Sequence, residues 1–477
     1  MSAPPVFAVV GRANKGKSSI VAALAEDDRV ETSPIPGTTT VCTEFPVKLD
    51  GETIFVLVDT PGFEDAPRAL AWMRAHEVDA ASRSAIVASF VDAHANGPDF
   101  VEECRLLRPI IDGASILYVV DGTKPYRQNY EAEMEILRWT GRPGMALINR
   151  IGPGDHLDEW RRALDQYFRI VRDFDAFRVS FTERMRLLTA FRELRPDWDA
   201  PINRAIDALR TDRALRRQET VRALSEGLIS ALSYAIELSL GAEEQITAAR
   251  RAEVERQFLD ALREMEQKSR RKVESLYRYH RELFTVDALE RPVFQDDLFA
   301  QSTWEAFGLD PKQIIAAYAI AGALTGSVID ASVGGASFLL GTAIGGLLGV
   351  GAGMRHAAQR AGGDSLSKVA KNIFDNKKQQ RVGPLSDLNF PFILLDRSLF
   401  HYRNVLSRTH AQRAVVKVEG KPQGIVTTLS LQQRNALVKL FSKIRKSGGA
   451  PGDATRAALD DAVRELLDTH APEAEIA

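Results

Sequence analysis

The feature that most constrains the fold is a glycine-rich loop that directly follows an apolar run near the start of the chain. Val6–Val10 is apolar at every position, as expected of a parallel strand covered on both faces, and Ile20–Ala25 after the loop reads as helix. Between them, Gly11–Ser18 fits the pattern G-x-x-x-x-G-K-[ST]. Such a loop closes its backbone N–H groups around phosphates, and the dipole of the following helix adds to the attraction. The sequence therefore predicts a phosphate-binding strand, loop and helix.

The end of this loop carries the two side chains on which the chemistry of the motif depends. Lys17 is expected to reach the β- and γ-phosphates, and the Ser18 hydroxyl is expected to ligate Mg²⁺. Further along the chain, Ser33–Thr40 is broken by Pro and Gly. A mobile loop there can bring a Thr hydroxyl to the Mg²⁺ when a γ-phosphate is present.

A second apolar run ends in a carboxylate suited to the same site. Ile54–Val58 reads as a buried strand, and Asp59 at its end is placed to hold the metal through water. In the D-T-P-G-F stretch that begins there, the Gly62 N–H is available to the γ-phosphate. The three segments reinforce one another because they occur in the order that a nucleotide site of this kind requires.

Length and composition set the wider limits. The 477 residues exceed one ordinary core, so we expect two or three structural units. The apolar fraction of 45% is that of a soluble globular protein, and a formal net charge of -2 excludes a global affinity for polyanions. The two cysteines, Cys42 and Cys104, cannot form a disulfide framework and have no paired metal-ligand spacing, which favours a reducing cytoplasm. Val6–Val10 lacks the flanks of a signal peptide, so no secretion is expected.

Taken together, these motifs resemble those of the translation-factor-related GTPases, most closely the group that contains the Era, TrmE and EngA proteins. The resemblance covers roughly the first 210 residues and rests on three segments. These are Gly11–Ser18 with its Asn14, Pro36–Thr39, and Asp59–Phe63. The resemblance implies a P-loop GTPase domain that binds GTP and GDP with Mg²⁺.

The same resemblance implies three further roles. Thr39 is the switch ligand of Mg²⁺, with Thr38 as the alternative. Phe63 stands where Ras-like enzymes keep the glutamine that orients the attacking water, so this chain must supply that function otherwise. In the family, an Asn placed like Asn14 helps to bind K⁺ beside the β- and γ-phosphates, where the cation offsets developing charge. Potassium-stimulated hydrolysis is therefore expected, and the alternative is that Asn14 only stabilises the loop.

The base-reading motif departs from the family pattern. Ile116–Val120 and Met145–Ile148 read as buried strands, and the second should end in N-K-x-D, whose Asp accepts hydrogen bonds from guanine. Here Asn149 can keep its contact and the aliphatic part of Arg150 can cover the ring, but Gly152 offers no carboxylate. The preference for guanine is thus inferred from the other motifs.

Two nearby positions bear on the same question. Asp155 is an alternative base reader, and the final loop, S-A-K in the family, is at best represented near Ser180, where we assign no base contact. The predicted nucleotide-binding residues are Gly11, Asn14, Lys15, Gly16, Lys17, Ser18, Ser19, Asn149 and Arg150. The predicted catalytic residues are Lys17, Thr39 and Gly62, and the predicted metal ligands are Ser18, Thr39, Asp59 and Asn14.

Residues 64–113 read as a helical insertion that a compact GTPase does not need. Apolar residues recur there at helical spacing, in one stripe of Leu70, Met73 and His76 and another of Val87, Phe90 and Val91. Because the insertion follows the second switch, the nucleotide state can move it. The alternative is an inert insertion that covers the edge of the sheet.

Residues 211–310 are predicted to form a helical stalk. Its apolar residues step at helical spacing through Leu224, Leu228, Leu232, Ile236 and Leu240 and then through Val254, Phe258, Leu262 and Met265. An ordinary helical bundle and an oligomerising coiled coil both explain this stripe.

Residues 311–356 contain the least typical segment of the chain. Ile314–Met354 carries a single charge, Asp330, and four glycines recur at four-residue intervals from Gly341 to Gly353. Such spacing lets two helix backbones approach closely, so a tight helical hairpin is predicted. Insertion into a membrane, docking into a membrane protein and burial in a soluble core all remain open.

The C-terminal region, residues 357–477, is predicted to be basic and rich in helix. Residues 355–447 carry 18 Lys and Arg against 5 Asp and Glu, which favours an anionic membrane next to the hairpin. RNA is the less favoured polyanion because no RNA-binding motif is present. Asn389–Arg413 reads as a short strand and then a helix, and Ser430 with Gln433 predicts a helix-capping box.

These features predict an α/β P-loop NTPase sheet with flanking helices in residues 1–210, followed by a mainly helical C-terminal region. Over most of its length the chain also resembles a bacterial group that joins such a GTPase domain to a region of unknown function with a glycine-rich hairpin. We expect a cytoplasmic GTPase switch, peripheral at the inner face of the cell membrane, which is able to form oligomers. The alternatives are a GTPase of ribosome or tRNA assembly, a dynamin-like remodeller, and a non-hydrolysing nucleotide-gated structural protein.

Overall fold

The computed structural model describes residues 4–26, 41–49, 51–238, 247–279, 381–385, 387, 389–411, 424 and 428–471. The N-terminal domain contains β1 (Val6–Val10), α1 (Lys17–Ala25), β2 (Thr43–Leu49), β3 (Glu52–Asp59), α2 (Ala66–Ala75), α3 (Arg83–His94), α4 (Val101–Ile111), β4 (Ser115–Asp121), α5 (Glu131–Trp139), β5 (Gly144–Asn149), α6 (Leu157–Leu164), β6 (Ile170–Phe174) and α7 (Phe181–Leu194). The C-terminal helical region contains α8 (Asp199–Ser233), β7 (Ile236–Glu237), α9 (Ala248–Leu276), β8 (Arg381–Val382), α10 (Phe390–Ser407), α11 (Leu431–Lys446) and α12 (Asp453–His470).

Six strands form one sheet in the order β2-β3-β1-β4-β5-β6. All neighbours pair in parallel except β2, which runs antiparallel to β3. The apolar runs read as buried strands lie in β1, β3, β4 and β5, and every residue of β4 is buried. The strand order reverses on either side of β1, and ligands of such sheets bind at the carboxyl ends of the strands beside this point. The predicted fold class, a mostly parallel sheet with flanking helices and then a helical region, is confirmed.

The two faces of the sheet belong to different cores because strand side chains alternate. Phe7 and Val9 lie in the core that the sheet shares with α1, α7 and the first part of α8. Ala8 and Val10 lie in the core that it shares with α2, α3, α4 and α5. Both faces of β1 are thus covered, so the loop that follows it starts from a rigid strand.

The insertion forms three helices, α2, α3 and α4, and they pack on a face of the sheet rather than on its edge. Leu70 and Met73 of the predicted stripe are buried in that core, as are Val87, Phe90 and Val91. His76 is not part of the buried stripe. It is exposed and stacks on Trp72 with ring centroids 3.9 Å apart, which differs from the predicted grouping.

Helix α8 runs without a break through residue 210, the predicted boundary of the N-terminal domain. Ile202 and Ile206 near its start belong to the core of the N-terminal domain, whereas Leu224 and Leu228 near its end belong to the core of the helical region. The stripe from α9 joins this second core together with residues of α10, α11 and α12. The predicted stalk residues therefore form an ordinary bundle in the described part of the chain.

Two local predictions in the helical region have different outcomes. The strand expected after Asn389 is wrong, because α10 begins at Phe390 with a proline in its first turn. Asp387 Oδ1 accepts the N–H groups of Asn389 at 2.8 Å and Phe390 at 3.1 Å, which stabilises a helix start there. The capping box of Ser430 and Gln433 is confirmed at the start of α11.

The predicted glycine-rich hairpin of residues 311–356 lies outside the described residues. Among the residues that the structure does describe, no helix combines the length and the apolar character that crossing a membrane requires.

Candidate functional site

The phosphate-binding loop leaves β1 at Gly11 and enters α1 after Gly16. Gly11 has φ +141°, and a Cβ there would lie 2.4 Å from the Val119 carbonyl oxygen, so only glycine fits. Gly16 caps α1 with φ +83°. Asn14, at the exposed tip, is also left-handed with φ +59°. These conformations curve the backbone around the space in front of the helix N-terminus.

Lys17 lies beneath this loop and is 7% exposed. Its Nζ donates a hydrogen bond of 3.0 Å to the carbonyl oxygen of Arg12. Burial lowers the pKa of Lys17 to about 8, although the nearby charges of Asp59 and Glu133 raise it. The ammonium is thus held inside the loop, where burial disfavours its charged form and a phosphate group would stabilise it.

Ser18 and Asp59 come together at the edge of the loop, where the Ser18 hydroxyl donates a hydrogen bond of 2.6 Å to Asp59 Oδ2. Mg²⁺ prefers such oxygen ligands and is usually bound through one or two carboxylates together with phosphates and water. This pair therefore fits a magnesium nucleotide. Thr39, the third predicted ligand, and its alternative Thr38 lie outside the described residues.

The segment after Asp59 lies directly against the phosphate loop. A Cβ on Gly62 would come within 2.4 Å of the Ala13 backbone nitrogen, so the two backbones are in close contact. Thr60 is fully buried, and its hydroxyl donates to the Val9 carbonyl oxygen at 2.8 Å. Phe63 is buried in the core shared with α2, α3 and α4. Of the predicted site residues, Lys17, Ser18, Asp59 and Gly62 are thus brought together.

A buried network that the sequence did not predict holds the same loop. Arg12 forms an ion pair with Glu133 of α5, donates to the Asn129 carbonyl oxygen at 2.8 Å, and lies 4.0 Å from the centre of the Tyr130 ring. The Tyr118 hydroxyl donates to Glu133 Oε2 at 2.9 Å. Burial raises the pKa of Glu133 to about 7, although Arg12 and Tyr118 lower it. The available signal was a glutamate on the apolar stripe of α5, where Met134 and Leu137 are also buried.

The side of the loop where the base is expected is held by Asn149. Its Nδ2 donates to the Lys15 carbonyl oxygen at 3.2 Å, and its Oδ1 accepts the Ala176 N–H at 3.4 Å. Lys15 Nζ lies 3.5 Å from Asp121 Oδ2 at the end of β4. Ser19 is buried inside α1, whereas Arg150 is exposed. Asn149 thus joins the phosphate loop to the loop after β6.

The other two residues considered for contacts with the base, Asp155 and Ser180, each accept a backbone N–H near the start of a helix. Asp155 is exposed, and its Oδ1 accepts the Leu157 N–H at 3.4 Å near the start of α6. Ser180 caps α7 together with Glu183. Residues 175–177 follow β6, and the Ala176 N–H among them donates to Asn149.

Two family models match the chain. The model described as "50S ribosome-binding GTPase" matches residues 6–150, and the model described as "Domain of unknown function (DUF3482)" matches residues 161–468. The two matches together cover the phosphate loop, the sheet and the C-terminal helical region.

Similar curated proteins are GTPases. GTPase Der of Solidesulfovibrio magneticus is 36% identical over 150 residues, which are 31% of this chain and 27% of that protein. The tRNA modification GTPase MnmE of Pseudothermotoga lettingae is 24% identical over 150 residues, 31% of this chain and 26% of that protein. The resemblance to Era, TrmE and EngA proteins, the last two also called MnmE and Der, is thereby confirmed. The chain spans 12% to 37% of the length of the Der proteins that it matches.

A crystal structure of a variant of Aquifex aeolicus Era bound to GDP and aluminium fluoride also aligns with the chain. The alignment covers 57% of this chain and 88% of that chain at 15% identity, with a TM-score of 0.28.

Proposed function

Because this chain belongs to the DUF3482 family and carries a GTPase domain ahead of that domain, we propose that it binds GTP and hydrolyses it as a conformational switch. The observation that carries the proposal is the convergence of Lys17, Ser18 and Asp59 at the carboxyl ends of β1 and β3. A buried ammonium next to a hydroxyl and a carboxylate matches the needs of a triphosphate and its metal.

In this proposal the residues act by positioning and by charge. Lys17 exchanges its bond to the Arg12 carbonyl for the β- and γ-phosphates, and the Gly62 N–H donates to the γ-phosphate. Ser18, Asp59 and Thr39 would hold Mg²⁺, which would neutralise charge on the phosphate oxygens. Because Phe63 is buried, it cannot orient the attacking water. The exposed Asn14 would help to hold K⁺, and this cation would supply part of the missing stabilisation.

The test is nucleotide turnover measured with GTP and with ATP, each with Mg²⁺ in KCl and in NaCl. We expect turnover of GTP that is faster in KCl, and equal rates in the two salts would remove the role of K⁺. Lys17→Ala should abolish binding, whereas Lys48→Ala on the exposed side of β2 should leave it unchanged. Normal GTP affinity in Lys17→Ala would refute the assignment of the loop.

We also propose that the protein associates with the anionic inner face of the cell membrane. Support comes from the sequence alone, in the apolar segment Ile314–Met354 and the excess of basic residues that follows it. Co-sedimentation with vesicles that contain anionic lipid, but not with neutral vesicles, is the expected result. Failure to bind either vesicle would refute the proposal, and co-sedimentation with ribosomal particles that is lost in GDP would favour an assembly GTPase instead.

A further inference from the structure

A buried carboxylate of the helical insertion accepts hydrogen bonds from the backbone of the segment that follows Asp59. Glu103, on the first turns of α4, is 2% exposed. Its Oε1 accepts the backbone N–H of Glu64 at 2.8 Å and that of Asp65 at 2.6 Å. Burying a carboxylate is costly unless it is well hydrogen-bonded, and these two charge-assisted bonds offset that cost.

Capping of α2 alone does not account for this contact. Asp65 already caps α2, since its own carboxylate accepts the Arg68 N–H at 3.3 Å. Glu103 comes from a different element and binds two consecutive amides immediately after Phe63, which is itself buried in the core of the insertion. The backbone is therefore held on one side by α4 and on the other by the contact of Gly62 with Ala13.

The same stretch of α4 also contacts the chain just before β2. Cys42 Sγ donates a hydrogen bond of 3.2 Å to the Arg105 carbonyl oxygen. Cys42 precedes β2 and lies three residues after Thr39, the predicted Mg²⁺ ligand. One helix thus contacts the segment that follows each of the two predicted switches.

We propose that Glu103 is a positioning residue for GTP hydrolysis, which holds the backbone after Gly62 in register with the phosphate loop through the Glu64 and Asp65 amides. This inference rests on the proposed function of the site. According to this inference, the insertion affects the rate of hydrolysis by holding the backbone after Gly62 in place. A displacement of about 1 Å at a γ-phosphate contact is enough to reduce a rate about 100-fold. GDP has no γ-phosphate, so its binding does not depend on this contact.

The experiment compares Glu103→Leu, which fills the space but accepts no hydrogen bond, with Glu103→Gln, whose amide oxygen can accept both N–H groups. Arg108→Ala, on the same helix as Glu103, removes an exposed ion pair to Asp92 of α3 and is the matched control. For Glu103→Leu we expect kcat for GTP to fall about 10- to 100-fold while the Kd for GDP stays within about threefold. Glu103→Gln and Arg108→Ala should keep kcat within about threefold of the unsubstituted chain.

Two results with Glu103→Leu would overturn the inference. One is an unchanged kcat in Glu103→Leu, and the other is a loss of kcat in Glu103→Leu that is matched by an equal loss of GDP affinity, as expected of a purely structural residue. A large loss in Glu103→Gln would also contradict it, because the acceptor is retained. Failure of the proposed function is distinct, since the unsubstituted chain would then not hydrolyse GTP. Faster hydrogen exchange of the Glu64 and Asp65 amides in Glu103→Leu still tests the contact in that case.

Discussion

The low pKa of Lys17 predicts that nucleotide binding depends on pH. Burial lowers this pKa from 10.5 to about 8. Phosphate oxygens next to the ammonium favour its charged form, so bound nucleotide raises the pKa again. We therefore expect the affinity for GDP to be highest where Lys17 is protonated and to fall as the pH rises above 8.

The size of the effect follows from the two protonation states. If GDP binds only the protonated form, the apparent Kd rises about 25-fold between pH 7.5 and pH 9.5 for a pKa of about 8, or about 1.9 kcal/mol. Phosphate groups, with a second pKa of about 6, stay ionised over this range. Burial raises the pKa of the Cys42 and Cys104 thiols to about 11, so both stay protonated.

The stability of the fold depends on pH in the opposite direction to the affinity for GDP. The unfolded chain binds the extra proton between pH 8 and 10.5, so the free energy of unfolding of the nucleotide-free protein rises across that range.

The assay is displacement of a fluorescent GDP at a series of pH values, in EDTA so that metal binding does not contribute. Circular dichroism at each pH checks that the protein stays folded. Lys15→Gln is the matched control, because it removes the ion pair with Asp121 and should leave the slope with pH unchanged. A Kd that changes less than about threefold across the range in folded protein would show that Lys17 is not the group that reads the phosphates.

Three further substitutions have expected outcomes. Gly62→Ala puts a methyl group against the Ala13 backbone, so single-turnover GTP hydrolysis should fall about 100-fold, and a normal rate would contradict the contact. Glu266→Gln removes the carboxylate that binds Arg397 at 2.6 Å in the helical core, and urea titration should show a loss of about 3–5 kcal/mol in the free energy of unfolding. Gly152→Asp meets no atom within 4 Å of its new Cβ and should raise the preference for GTP over ATP about tenfold in competition binding. No change in that preference would mean that the base does not reach this position.

The parts of the site that could be predicted are those specified by residues close together in the chain. The glycine loop needs an apolar strand before it and a helix after it, and both are visible in neighbouring residues. Asp59 follows from the end of a second apolar run, because parallel strands bring their carboxyl ends to one edge of the sheet. The core positions of Leu224 and Phe258 follow from helical spacing alone.

The parts that could not be predicted depend on partners far apart in the chain. Glu133 and Glu103 are acidic residues in helices, and sequence alone suggests that such residues face solvent. Their burial depends on Arg12 and on the Glu64 and Asp65 amides, which only the packing of α4 and α5 against the sheet brings near. The strand expected after Asn389 failed for a related reason. A helix buried on all sides is as uniformly apolar as a buried strand, so the pattern does not separate the two.

The unbroken course of α8 has a mechanical consequence. Its 35 residues span about 52 Å and supply apolar side chains to the hydrophobic interior at both ends of the molecule. Residue 210 lies between the two sets of α8 side chains, because Leu209 belongs to one interior and Val221 to the other, so a cut there would divide a single helix in two. Because α8 is continuous, the two cores are joined by a helix and not by a flexible linker. A tilt of α8 within one core must therefore displace the part of α8 that packs in the other.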